Sequence, residues 1–323
     1  MSLLVQKFGG SSLADAEKLL HAAHIAKRAY EAGYDVIVVV SAQGKTTDAL
    51  LARAHELTQF PPARELDALL ATGEQASAAL FATALESLGV PAVSLCAWQL
   101  PIHTDGRHGD AQICAVGCER VRAELDRRRV VVAAGFQGLD AGRDITTLGR
   151  GGSDTTAVAL AAAFGAALCR IYTDVDGVYT ADPSLCPDAR RLPEIGYAQM
   201  QLLAENGAKV LHDRSAALAA LHRVPLEVRS CADGSVGTRI GDAAPLPLAG
   251  VTLRESASGA LARVSIVGSS LPSLRLLREV AAELERSGVP VCGAEEGAQC
   301  ASVFTAPEHG RAALRIVHAL LFA

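Results

Sequence analysis

The chain has 323 residues, of which half are hydrophobic and one fifth charged, with a formal net charge of −5. This profile excludes a disordered chain, and it offers no basic field to attract nucleic acid. The length allows a sizeable core and about two domains. Eight cysteines occur, none in a CxxC pair, and "MSLLVQKF" is too short for a secretory leader. The expectation is a cytoplasmic protein with reduced thiols. No apolar run approaches the ~18–20 residues of a membrane span, so no membrane partner is expected.

In chain order, "LLVQKF" (3–8) predicts a strand and 12–33 a helix. "DVIVVVS" (35–41) is a β-branched run of the kind found in a parallel strand covered on both faces. Helices are expected at 46–58 and 64–89, a strand at 91–96, a polar loop to about 111, a helix near 115–128 and a strand at 129–136. A helix at 153–165 leads into a strand at 169–175, and "DVDGVYT" predicts a tight turn into another short strand. Helices fit 197–205 and 208–222, and 225–230 reads as the last strand before the linker "GDAAPLPLAG" (241–250). The fold class is α/β: a mostly parallel sheet with helices on both faces. Beyond the linker, strands at "VTLRE", "ALARVSIVG", "VPVCGAE" and "CASVFTA" with helices at 273–287 and 308–321 make a small α+β module.

Two glycine turns stand at strand-to-helix junctions. In "QKFGGSS", Lys7 precedes Gly9 and Gly10, and Ser12 with Asp15 matches a capping box. In "TTLGRGGSDTTAVALAAAFGA" (146–166), three glycines, Arg150 and Asp154 crowd the start of a helix. A glycine-rich helix N-terminus cradles phosphate, because its N–H groups are unpaired and the backbone can approach the ligand. A tight turn before a surface helix reads equally well from the second segment alone, and the lone Lys-x-Gly-Gly of the first is by itself a weak phosphate signal. Neither is a Walker A loop, and "SAQGKTTD" fails that pattern because Val39 stands where its first glycine belongs. The aspartates of "YTDVDGVYTADP" (172–183) read by themselves as turn chemistry. Likewise Glu74 reads as a surface charge on a helix, Trp98 as a packing residue, and His103 and His108 as loop residues without metal-ligand spacing.

Taken in order, "VQKFGGSSLADAEK", "VVVSAQGKTTDALL", "RELDALLATGE", "AGFQG", "TTLGRGGSDTTAVALAAAFGA", "YTDVDGVYTADP" and "GAKVLHDRS" resemble the aspartate kinases of the amino acid kinase family. The likeness runs from about residue 3 to 240, and the C-terminal module resembles an ACT domain. It implies a catalytic domain at 1–240, a linker at 241–250 and a single ACT-like regulatory or dimerisation module at 251–323. The implied reaction is MgATP-dependent phosphorylation of the side chain of L-aspartate to 4-phospho-L-aspartate, which opens the routes to lysine, threonine and methionine. The implied roles follow the motifs. Lys7 and the Gly9–Gly10 amides hold ATP phosphates, Lys209 is a second cation, and Asp154 organises the lysines. Thr173, Asp174, Tyr179 and Asp182 surround the nucleotide. Arg150 grips the α-carboxylate of aspartate and Glu74 its ammonium, while Ser41, Thr47 and Ser153 complete the pocket. Mg²⁺ is expected on the ATP phosphates, with no metal site of the protein's own, and a homodimer is expected.

The residue types suit that chemistry. A carboxylate nucleophile with a pKa near ~4 is ionised at pH 7 and needs no general base. What must be supplied is charge neutralisation and a planar fork for a carboxylate. Two departures bear on the reading. Ser184 stands after "YTADP" where the family usually has arginine, which puts one nucleotide contact in doubt. Aspartate kinases usually carry two ACT modules, and here there is room for one. An amino-acid effector would dock on that module at "GSSLPSL" (268–274), which lacks the usual proline-glycine turn, so weak or absent inhibition by lysine and threonine is expected. The rival readings are an amino acid kinase for another carboxylate substrate and a non-catalytic amino-acid sensor on the same fold.

Overall fold

The structure is a computed structural model that describes residues 2–255 and 259–322. Met1, Ala323 and residues 256–258, which fall within the expected regions 1–240 and 251–323, lie outside the described residues. By its contacts the chain forms two units, Met1–Asp176 with Leu221–Val236, and Gly177–Ala220 with Gly237–Ala323.

The first unit begins β1 (Leu3–Phe8), α1 (Ala16–Glu31), β2 (Asp35–Val40), α2 (Thr46–Leu57), α3 (Ala63–Ser87) and β3 (Ala92–Leu95). It continues with β4 (Ile102–Thr104), β5 (Ile113–Val116), α4 (Glu119–Asp126), β6 (Val130–Ala134), β7 (Gln137–Leu139), β8 (Ile145–Thr147), α5 (Gly152–Phe164) and β9 (Leu168–Thr173). The chain then runs through β10 (Glu194–Gly196), α6 (Tyr197–Glu205), α7 (Asp213–His222), β11 (Leu226–Ser230) and β12 (Val236–Gly241). It closes with β13 (Gly250–Glu255), β14 (Ala262–Val267), α8 (Ser273–Arg286), β15 (Gly293–Glu295), β16 (Cys300–Thr305) and α9 (Gly310–Phe322).

In the first unit β11, β9, β1, β2, β6 and β3 lie side by side and all pair in parallel. Strand alternation divides their side chains between two faces. Leu4 and Phe8, with Val36, Val38, Val40, Val130, Val132 and Ala134, pack against α1 and α3 in one buried cluster. Val5 and Lys7, one residue out of step, take the opposite face, where α5 lies against β1, β2 and β9. This is why β2 reads as an unbroken apolar run, since each face has its own helical cover. A smaller sheet, in the order β5-β4-β7-β8, supports the same unit.

In the second unit β10 and β12 form a short parallel pair. The antiparallel sheet β13-β14-β16-β15 buries Val251, Val264, Ile266, Ala301 and Val303 against α8 and α9. Each such Val or Ile contributes about 1.5–3 kcal/mol by burial. From α9, His318 Nε2 lies 2.9 Å from Thr180 Oγ1, and Arg315 Nε donates to the Leu185 carbonyl at 2.5 Å.

Several local expectations are corrected. The first helix starts at Ala16 rather than 12. Asp15 is itself the N-cap, accepting from Lys18 N–H at 2.9 Å, and residues 10–13 form a 3-10 turn, so the Ser12–Asp15 capping box is not made. The polar loop to 111 and the start of the expected helix at 115–128 contain β4 and β5, and α4 spans only Glu119–Asp126. No strand follows "DVDG" within 177–183, where the only ladder contact is the single bridge between Tyr179 and Arg191. The helix at 208–222 begins at Asp213, and β12 follows the strand expected to be the last before the linker. At three and four residues, β4 and β5 are too short for an alternation to stand out. Trp98 is half exposed. The stretch 241–250 is tied down: Leu246 N–H donates to Gln199 Oε1, Gln199 Nε2 donates back to Leu246 O, and Ala249 N–H donates to Val267 O.

Candidate active site

The register of the parallel sheet brings four strand ends together. Lys7 is level with Val39 and Ile171, Phe8 with Val40 and Tyr172, and Val40 with Ala134. The loops that follow leave from the carboxyl edge, where open parallel sheets bind ligands. Because Lys7 faces α5, its ammonium meets the first turn of that helix, with Nζ 2.6 Å from Asp154 Oδ1. Both side chains are largely covered, at 11% and 14% exposure, so solvent screens the pair little.

The turn after β1 is packed backbone to backbone. A Cβ on Gly10 would overlap the Ala42 carbonyl oxygen, and Gly44 N–H donates to Gly10 O at 2.9 Å. Gly9 N–H reaches Tyr172 O over a long 3.4 Å, and a Cβ there would lie 3.6 Å from Lys7 Nζ. The space beside the lysine is thus kept open by the missing side chain of Gly9, while Gly10 lets the turn close on Ala42.

Glu74 is buried at 3% exposure, which reverses its reading as a surface charge. Its place on α3 follows from helical spacing, since Asp67, Leu70, Ala71, Glu74, Ala78 and Phe81 form one buried stripe. Oε1 accepts from Ala42 N–H at 3.0 Å, whereas Oε2 is buried without a hydrogen-bond partner among the described residues. Burial pushes the carboxyl up to about 7 against the opposing pull of the Ala42 N–H. A spare buried acceptor is costly unless a donor arrives. Ser41 follows β2 directly and precedes Ala42, and Thr47 lies in the first turn of α2.

The second glycine turn bends through positive φ at Gly149 (71°) and Gly151 (69°), and Gly151 caps α5. Between them Arg150 is exposed and makes no ion pair among the described residues. Ser153 is buried against Gly135, where a Cβ would come within 2.8 Å of Ser153 Oγ. At the end of β9, Thr173 Oγ1 donates to Asp174 Oδ1 at 3.0 Å.

The remaining expected residues belong to the second unit. Asp182 Oδ1 accepts from Ser184 N–H (2.9 Å) and Ser184 Oγ (2.6 Å), so the residue standing in place of arginine closes a local turn. Tyr179 precedes it on the same segment, and Lys209 is exposed between α6 and α7.

Two residues at this edge carried no role in the sequence. Phe136 adopts a φ of 69°, held by donation from its N–H to Thr156 Oγ1 and from Leu148 N–H to its carbonyl. Left-handed backbone on a bulky residue stores strain and clusters at functional sites. Asp67 is the other, buried at 2% exposure, two helical turns before Glu74. The i, i+7 spacing in "ELDALLATGE" was the signal for it.

Chemically, the first unit offers a covered cation beside an open glycine turn, a buried carboxylate with one spare acceptor, and a free guanidinium. That set suits a polyanion together with a small zwitterion.

The family model described as the amino acid kinase family matches residues 2–230. Over 268 residues the chain is 46% identical to the aspartokinase of Geobacillus stearothermophilus, covering 83% of this chain and 66% of that protein. It is 50% identical over 244 residues to that of Thermus thermophilus, covering 76% and 60%. The chain thus spans under two thirds of the length of these relatives. The fold is that of E. coli aspartokinase III solved with aspartate and ADP, with a TM-score of 0.89, 22% identity and coverage of 99% of this chain and 100% of that one. On the match over residues 2–230, with the glycine turns and the Lys7–Asp154 pair inside it, the chain belongs to the amino acid kinase family.

Proposed function

We propose that the protein transfers the γ-phosphoryl group of ATP to the side-chain carboxylate of L-aspartate. The observation that carries this reading is the buried Glu74, whose unpartnered Oε2 calls for a cation such as a substrate ammonium. Glu74 is also tied to the nucleotide side of the site, because Ala42, which donates to it, packs on Gly10. In the first unit, Arg150 takes the α-carboxylate, Glu74 the ammonium, and Ser41, Thr47 and Ser153 line the substrate pocket. Lys7 and the turn at Gly9–Gly10 take phosphate oxygens, with Thr173 and Asp174 at the nucleotide. In the second unit Tyr179 and Asp182 are assigned to the nucleotide and Lys209 to its phosphates.

The carboxylate oxygen forms a bond to the γ-phosphorus as the bond to the β–γ bridging oxygen breaks, leaving aspartyl phosphate and ADP. No proton need be removed, since the nucleophile is already ionised. The task of this chain is to hold two anions together, and Lys7, fixed by Asp154, neutralises charge that builds during transfer. Mg²⁺ carried on the nucleotide would add further neutralisation. The open turn at Gly9–Gly10 beside Lys7 fits such a polyanion.

Residues 1–240 form the catalytic domain in this reading, 241–250 the linker and 251–323 an ACT-like module. A cytoplasmic homodimer is part of the proposal. Exposed Leu274 and Leu320 on the two helices of the module support a covering partner. Among the described residues no helix is long and apolar enough to cross a membrane.

The test is acyl-phosphate trapping with hydroxylamine across a panel of amino acids with MgATP. Hydroxamate from aspartate alone is expected. Preference for another carboxylate would make the protein a different amino acid kinase. No hydroxamate with any substrate would leave a binding role.

A further inference from the structure

We infer that Asp67 is the positioning residue that fixes the Arg150 turn. The inference rests on the reading of Arg150 as the carboxylate grip.

Asp67 lies in α3, which also carries Glu74 on the same face. Its buried carboxylate accepts from every side. Oδ1 takes the Thr147 hydroxyl at 2.6 Å. Oδ2 takes Thr147 N–H at 3.0 Å and Gly109 N–H at 3.0 Å, and His108 Nδ1 lies 2.9 Å from it. All these partners come from two segments, 108–109 and the end of β8. Both segments bound the Arg150 turn. Thr147 stands three residues ahead of Arg150, and only Leu148, whose N–H is fixed on Phe136 O, and Gly149 separate them. The other segment walls the turn: a Cβ on Gly149 would sit 3.0 Å from Asp110 Oδ1 and 3.1 Å from Gly109 O. Ala111 N–H closes the wall by donating to Thr147 O at 2.9 Å.

A buried carboxylate is an expensive way to join two loops unless its donors are complete, and here they are. An apolar residue would pack the helix but would leave the N–H groups of Thr147 and Gly109 without acceptors. The consequence is geometric. One helix sets both ends of the amino-acid pocket, Glu74 directly and Arg150 through Asp67. The distance between the two charges that would grip a zwitterion is therefore fixed by seven residues of α3.

The experiment is a double-mutant cycle between Asp67→Asn and Arg150→Ala, measuring KM for aspartate and for ATP. The isosteric amide keeps the volume but turns a donor toward groups that are themselves donors. Asp67→Asn should raise the aspartate KM about tenfold or more, the loss expected for hydrogen bonds to a charged group. The ATP KM should stay within about twofold. In the Arg150→Ala background Asp67→Asn should add less than about twofold to the aspartate KM, because positioning an absent guanidinium has no value. Equal loss for both substrates, or full multiplication of the two effects, makes Asp67 merely structural and overturns the inference. Thr147→Val, which removes one donor only, should show a smaller shift of the same kind, and serves if Asp67→Asn unfolds. Amide hydrogen exchange across 147–151 should be at least about tenfold faster in either variant. Unchanged protection there overturns the latch by itself. An Arg150→Ala protein with normal aspartate KM would instead reject the role of Arg150, and the exchange result would still decide the latch.

Discussion

Lys7 Nζ lies 2.6 Å from Asp154 Oδ1, and the two side chains come from the ends of elements that begin almost 150 residues apart. The pair joins the first strand to the helix behind the second glycine turn. Its position at the sheet edge, with the ammonium beside the Gly9 backbone, separates it from an ordinary surface ion pair. Lys7→Ala should lower kcat by about 10²–10³-fold, the usual loss when one preorganised stabilising group is removed. The aspartate KM should change little, and steady-state kinetics check both. Parental kcat in Lys7→Ala would reject the assignment.

Glu74 gives the protein a pH signature. Its carboxyl is held at about 7 in the native state against an ordinary 4.5, by burial. Between those values the native protein keeps a proton that the unfolded chain has released. Stability contributed by this group is therefore complete below about pH 4.5 and lost as pH rises through about 7, by about 3 kcal/mol in all. Urea unfolding of the unliganded protein at pH 4.5–8, compared with Glu74→Gln, should show that slope in the parent and its disappearance in the variant. Aspartate binding should strengthen with pH over the upper part of the same range, because an arriving ammonium favours the ionised carboxylate. Identical profiles for parent and variant would refute the assigned titration.

Gly10→Ala should be severe because its new Cβ would overlap a carbonyl oxygen rather than a movable side chain. We expect an ATP KM raised about tenfold or more, with a stability loss of about 1–3 kcal/mol, as for overpacking. Gly241→Ala, a site with open space, should stay within about 0.5 kcal/mol of the parent. Thermal unfolding and ATP titration of both variants suffice, and an innocuous Gly10→Ala would show that the turn yields.

Feedback by lysine and threonine, alone or together, should be weak. In the loop 268–271 the N–H groups of Gly268, Ser269 and Leu271 are already spent on the carbonyls of Gln299, Leu246 and Ala298. An incoming amino-acid carboxylate finds these donors taken, and an effector acts only through differential affinity for two states. Titrating both amino acids at millimolar levels in the hydroxamate assay measures this. A steep sigmoidal loss of activity of tens of fold would contradict it.

What the sequence revealed depended on how far apart the interacting groups lie. The buried run of β2 and the long stripe of α3 are local patterns, and each was legible within its own segment. Glu74 was misread in isolation because the N–H that holds it belongs to Ala42, 32 residues away. Asp67 drew no notice because its partners lie 41–80 residues downstream. The motif resemblance named Lys7, Arg150 and Asp154 without their geometry. Strain at Phe136 could not be read from "AGFQG", since positive φ on a bulky residue is imposed by its neighbours and not by its own propensity.

The contacts from α9 to Thr180 and Leu185 have a consequence for biosynthesis. The second unit is discontinuous in sequence, and the segment that begins at Gly177 packs with partners that extend to 322. During translation at about 5–20 residues per second, that segment must wait several seconds for α9 to be made. Until then Ala181 and Cys186, destined for the same buried cluster as Leu314 and Val317, remain uncovered. The stretch assigned to the nucleotide is therefore among the last parts of the protein to mature. Shortening α9 would act first on soluble yield, because it lengthens the time for which an apolar surface stands open to aggregation.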